Sequence, residues 1–134
     1  MAKETVVAEK LEAMVKLGVV NSRMKDFYDV WMMSKTFTFD GHVLQEAIKA
    51  TFDRRKTPIP RSTPVALTGE FAEDKDHIKQ WSAFLKRNRL DVGNVEFDRV
   101  IDGLNSFLDP IISAIAANRD FRRAWSAGGP WNGA

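Results

Sequence analysis

Thr5-Val6-Val7-Ala8-Glu9-Lys10-Leu11-Glu12-Ala13-Met14-Val15-Lys16-Leu17-Gly18 decides the fold class. Val7, Leu11, Met14 and Val15 recur at the i, i+4, i+7, i+8 spacing of a helix with one buried stripe. Gly18 offers a C-terminal stop, and Asn21-Ser22 a fresh N-cap. A second helix is predicted from about Arg23 to Lys35, burying Met24, Phe27, Val30 and Trp31.

Working outward, Asp40 is positioned to cap a third helix that buries Val43, Leu44, Ala47, Ile48 and Phe52. It ends near Arg55, because Thr57-Pro58-Ile59-Pro60 and Pro64 cannot continue it. Residues 56–69 are expected to form an extended, Pro-fixed connector. A fourth helix follows at about Asp74 to Asn88, with Ile78, Trp81 and Leu85 inward, and Asp91 to Asn94 form a turn. The last apolar pattern begins near Val95 and runs through Phe97, Val100, Ile101, Leu104 and Leu108 to Ile111, Ile112 and Ile115. Pro110 interrupts it, so either one helix kinks there or Asp109 caps a new one; the second is slightly favoured.

No period-2 pattern is long enough to build a sheet. A strand pair around 36–39 and 65–68 would be peripheral. The expected fold is all-α, a bundle of five to six helices with a Pro-rich extended connector. One helical domain should span 1–126, followed by an irregular tail over 127–134.

Hydrophobic residues make up 44% and charged residues 28% of the 134 residues, values that argue against disorder. Four Trp and nine Phe can supply a core. With no cysteine, disulfides, thiolate metal sites and a Cys nucleophile are excluded. The polar start carries no signal-peptide core, and no run approaches the roughly 18 apolar residues that span a bilayer. A cytoplasmic location is expected.

The net charge of +2 is too balanced to be a nucleic-acid footprint. Arg54-Arg55-Lys56 with Arg61, and Lys86-Arg87-Asn88-Arg89, fall at helix ends, where cations complement the dipole; a phosphate-contacting surface is the sharper alternative. Neither a Gly-rich phosphate loop, nor G-x-S-x-G, nor H-E-x-x-H is present. His42 and His77 stand apart without ligand-spaced partners and read as exposed or satisfied helix residues.

Charge placement on the first two helices is more informative. Glu9, Glu12 and Lys16 project to the far side of helix one, toward solvent. Lys10 lies about 40° from Met14, at the edge of the apolar stripe, where its ammonium is partly desolvated. On helix two, Arg23 projects between Phe27 and Val30, Asp26 sits at the margin, and Lys25 and Asp29 point further outward. Charges at a core margin are paired or serve a ligand. Periodicity leaves both open.

Ala8-Glu9-Lys10-Leu11, followed by Arg23-Met24-Lys25-Asp26-Phe27-Tyr28-Asp29, resembles the AbiEii/AbiGii-type nucleotidyltransferase toxin family. Looser matches continue through Thr57-Pro58-Ile59-Pro60, Phe71-Ala72-Glu73-Asp74, Gln80-Trp81 and Gly128-Gly129-Pro130-Trp131. The resemblance implies nucleotidyl transfer with Mg and a nucleoside triphosphate, in type IV toxin–antitoxin or phage-defence systems. It implies Lys10 and Asp26 as catalytic residues, and Lys10, Arg23, Lys25 and Asp29 as the nucleotide-binding set. An antitoxin protein and tRNA are the partners it implies.

The family's G-S-x-x-L and D-x-D metal motifs are not found in these residues. Asp74 and Asp76 match D-x-D by letter only, without the strand and Gly-Ser turn. No metal ligand is therefore assigned. The chain is expected to be the C-terminal helical half of such an enzyme, from a truncated or split gene. It would be inactive alone and would need an N-terminal nucleotidyltransferase half, while exposed apolar surface would favour homo-oligomers. The alternative is a helical module that binds a partner protein or RNA through Trp125, Trp131, Arg119, Arg122 and Arg123.

Overall fold

The computed structural model describes residues 2–90 and 95–133. The turn expected at Asp91 to Asn94 lies outside the described residues. Six α-helices dominate: α1 (Lys3–Leu17), α2 (Met24–Thr36), α3 (Gly41–Arg54), α4 (Gly69–Glu73), α5 (Lys75–Arg87) and α6 (Phe97–Ala116). Three two-residue strands complete the fold, β1 (Phe39–Asp40), β2 (Ala124–Trp125) and β3 (Trp131–Asn132). The architecture is mostly all-α, as the apolar periodicity predicts.

Local chemistry sets the helix starts. Asp40 accepts from the His42 and Val43 amides, and Asp74 from those of Asp76 and His77, so both satisfy first-turn donors. This use of the Asp74 carboxylate also accounts for the letters D-x-D. Asn21 acts differently from a cap: its side-chain oxygen accepts from the Arg23 N–H at 2.8 Å, and α2 begins without a side-chain cap. The 56–69 connector ends in a 3-10 turn at Val65–Leu67, and α4 follows with Thr68 capping Phe71 at 3.3 Å. Five residues are too few to show a helical period, so α4 left no sequence signal.

Helix α6 corrects the expectation at Pro110. It runs unbroken through the proline, and Phe107, Leu108, Ile111 and Ile112 stay buried on both sides of it. The Asp109 carboxylate accepts from Thr63 Oγ1 at 3.2 Å in place of capping a new helix. Proline removes the bond to Ser106, and Ser106 is on the exposed side, where water can satisfy its carbonyl.

The sheet corrects a second expectation. β1 pairs antiparallel with β2, and β2 with β3, in the order β1-β2-β3. The partner of 39–40 is thus the C-terminal segment and not 65–68, and Trp131–Asn132 forms a strand inside the stretch read as irregular tail. The tryptophans fasten it. Trp125 Nε1 donates to Ser34 O at 2.7 Å and Trp131 Nε1 to Phe107 O at 2.9 Å. Gln45 adds a two-way clasp, donating to Arg119 O at 2.6 Å and accepting from the Phe121 N–H at 2.9 Å.

Gly41 is required by this clasp. Its N–H donates to Arg123 O at 2.7 Å, and a Cβ there would sit 2.5 Å from that oxygen and 2.7 Å from the Phe121 ring. Gly41→Ala should therefore detach residues 117–133, lowering stability by about 2 kcal/mol or more. Faster proteolysis after Arg119, Arg122 or Arg123 measures it; wild-type resistance would refute the assignment.

One contiguous core joins all six helices. Two expected core residues lie outside it, Val43 and Ile78, which are 48% and 47% exposed. Each lies on the solvent side of its helix's apolar stripe, only partly covered by its neighbours.

Candidate functional site

Helices α1 and α2 are joined by the short 3-10 turn Gly18–Val20, which folds them against each other. That packing decides which charges meet. Lys10 projects from the middle of α1 onto the first two turns of α2. Its Nζ donates to Asp26 Oδ1 at 3.1 Å and lies 3.2 Å from Asp29 Oδ2. Arg23 Nε is 3.0 Å from the other Asp26 oxygen, and Lys25 Nζ is 2.6 Å from Asp29 Oδ2. All five residues singled out by the sequence therefore form one network of three cations and two carboxylates.

The network is graded in exposure. The side chain of Asp26 is 5% exposed and that of Lys10 is 22%, whereas Arg23 and Lys25 reach solvent. Burial alone would lower the Lys10 pKa. The hydrogen bonds and charges of Asp26 and Asp29 outweigh it, and the ammonium is held above the ordinary lysine value. Lys10 is therefore a fixed positive charge at neutral pH.

Asp26 has one oxygen committed to Lys10. Oδ2 is buried without a hydrogen bond, because the Arg23 N–H, though close, is not directed at it. On this side opens a groove of about 500 Å³ between the start of α2 and the end of α5. Ser22, Arg23, Lys25 and Asp26 line one wall, and Gln80, Arg87 and Asn88 the other. Arg87, left among dipole-complementing cations by the sequence, faces this groove.

The other charges resolve differently. Glu12, expected to face solvent, is 1% exposed. The chain leaving α3 folds over it, so that Thr57 Oγ1 donates to Glu12 Oε2 at 2.6 Å. Arg54 and Arg55 pair with Glu9, and Arg55 approaches Glu12 at 3.8 Å. The basic block at the end of α3 thus ties α1 to the connector. His77 is buried, with Nδ1 2.8 Å from Phe71 O and Nε2 3.0 Å from Val19 O. His42 lies near Glu46 at the surface. Trp125 and Trp131 are tucked against Phe107, at ring centroids of 4.8 and 5.8 Å; Trp125 is buried and Trp131 half-buried, while the arginines of the expected aromatic–basic surface stay exposed.

A divalent cation does not fit the donor set. Asp26 and Asp29 face Lys10, Arg23 and Lys25, and the Lys10 ammonium occupies the position between the two carboxylates. Among the described residues, no three His, Asp or Glu side chains converge to hold a metal ion. Neither is any helix long and apolar enough to cross a membrane.

With this geometry in place, the comparison with protein families is direct. A family model described as nucleotidyl transferase AbiEii toxin, type IV TA system, matches residues 1–117. The chain belongs to the AbiEii nucleotidyl transferase toxin family. The match includes α1, α2 and every residue of the charge network. Neither a curated protein nor a solved structure matches the chain.

Proposed function

We propose that these residues supply the nucleotide-handling side of a nucleotidyl-transfer site, with Lys10 as the phosphate ligand and Asp26 as the group that orients the acceptor. The Lys10–Asp26–Asp29 arrangement carries this reading. An ammonium has three donors; two point at Asp26 and Asp29, which leaves one for an outside oxygen. A positioned lysine acts as a point charge on triphosphate oxygens, where charge gathers during transfer. Asp26 Oδ2, buried beneath Arg23 with no hydrogen bond of its own, borders the groove and can receive a hydrogen bond from an attacking hydroxyl once Arg23 turns toward phosphate. Arg23 and Lys25 reach the same groove and can hold further phosphate oxygens.

The metal-holding carboxylates come, in this proposal, from polypeptide outside these 134 residues, either contiguous with them or on another chain. The 134 residues alone then bind a nucleoside triphosphate without transferring it. An antitoxin is the partner that the family description supports.

Calorimetric titration with ATP, CTP, GTP and UTP, each with Mg²⁺, tests the assignment. Saturable binding of at least one, weakened about tenfold or more in Lys10→Ala, is expected. Equal binding by both proteins would remove Lys10 from the site. Binding by neither would remove the triphosphate. Unaided transfer by the purified 134-residue chain would overturn the division of the site.

A further inference from the structure

A second surface is independent of the nucleotide reading. Helix α5 turns Ile78, Trp81 and Leu85 toward α6, yet α6 covers only part of this stripe. A groove of about 570 Å³ remains between the two helices, floored by these residues and Phe97. Ile78 is 47% exposed in it, and the Trp81 indole N–H is buried without a partner.

Its rim is acidic. Glu73, Glu96 and Asp98 line it, and no Lys or Arg does. None of the three forms an ion pair among the described residues. The helix dipoles favour acids at these places, Glu96 and Asp98 at the start of α6 and Glu73 just before the Asp74 cap of α5, yet no basic side chain of this face answers them.

The complementary feature is on the same molecule. Val19 and Val20, in the turn between α1 and α2, are 59% and 79% exposed, the most exposed large apolar side chains among the described residues. Lys16 precedes them, and Arg23 and Lys25 follow. Lys16 makes no ion pair among the described residues. The structure thus presents a basic-flanked apolar knob and an acidic-rimmed apolar groove.

Knob and groove are neighbours. Val19 O is 3.0 Å from Nε2 of His77, the residue before Ile78. A two-fold axis requires this placement, because an isologous contact sets one patch against itself, knob into groove twice. We infer that this face binds a second copy of the chain, with Val19 and Val20 of each protomer entering the groove of the other. Lys16 then meets Glu73, Glu96 and Asp98 across the interface, and a carbonyl of the incoming turn can accept from Trp81.

Sedimentation equilibrium of the 134-residue chain tests this. A dimer that weakens with added salt is expected. Val20→Asp, Lys16→Glu and Glu73→Lys should each raise the dissociation constant about tenfold or more. All three sites are exposed, so circular dichroism should stay at wild type. The decisive arm mixes Lys16→Glu with Glu73→Lys. Each alone mismatches both contacts of its homodimer, whereas the mixed dimer has one inverted contact and one wild-type contact. Recovery of dimer in the mixture is expected. A monomer at every concentration, a dimer indifferent to Val20→Asp, or no recovery on mixing would overturn the inference. None of these outcomes bears on ATP binding, so this inference and the nucleotide proposal fail separately.

Discussion

Phe107→Ala should remove about 3–5 kcal/mol of stability and release the C-terminal segment from the bundle. Phe107 is completely buried. Its ring contacts Phe39 of β1 at 5.1 Å, Trp125 of β2 at 4.8 Å and Trp131 of β3 at 5.8 Å, counted between centroids. One side chain on α6 therefore supports all three strands. Each strand has only two residues, too few to hold by ladder bonds alone. Truncation to Ala opens a cavity that two indoles and a phenyl ring cannot fill without moving.

Urea unfolding followed by tryptophan fluorescence measures this directly, because Trp125 and Trp131 report on the cavity. A melting temperature lower by on the order of 10–20 °C should accompany it. Phe107→Leu, which retains much of the volume, should lose about half as much or less. A loss below about 1 kcal/mol for the alanine variant would show that the strands are held by other contacts.

The five longer helices were legible in the sequence because each carries its own period, which the five-residue α4 is too short to show. Leu11 and Met14, Phe27 and Val30, and Phe97 through Ile112 are readable one helix at a time. The site was half legible for the same reason. A helical wheel puts Lys10 and Asp26 at core margins, but whether they face each other depends on how α1 rotates against α2, which only tertiary packing fixes. The family resemblance names the same residues without supplying that rotation.

Glu12 marks the limit of the wheel, which assumes one buried face. Helix α1 is covered on a second side by Arg55 and Thr57, 43 and 45 positions further along the sequence. Arg87 was ambiguous for a related reason, since a cation at the end of α5 satisfies the dipole and borders a groove at once. Two-residue strands have no period to read, and their pairing depends on where Trp125 and Trp131 dock.

Lys10→Met should destabilise the chain by about 2–3 kcal/mol, because it strips the buried Asp26 carboxylate of its hydrogen-bonded partner. Arg23 does not replace it: its Nε is 3.0 Å from Oδ2 but not directed for a hydrogen bond, and its side chain is 59% exposed. Asp26→Asn in the Lys10→Met background should recover part of that loss, since a neutral amide is less costly to bury than an unpaired carboxylate. A double-mutant cycle would then give a coupling of about 1–3 kcal/mol; additive losses would mean that the pair does not act as a unit. The pH dependence gives a second readout. The folded-state pKa of Lys10 lies above the ordinary value of 10.5, so its contribution is fully present below that value. It is lost as the pH rises through the raised one. As the pH rises beyond 10.5, wild type should therefore lose more stability than Lys10→Met. Parallel curves for the two proteins would show that Asp26 and Asp29 do not hold the ammonium, and would undo the network from which the nucleotide site is built.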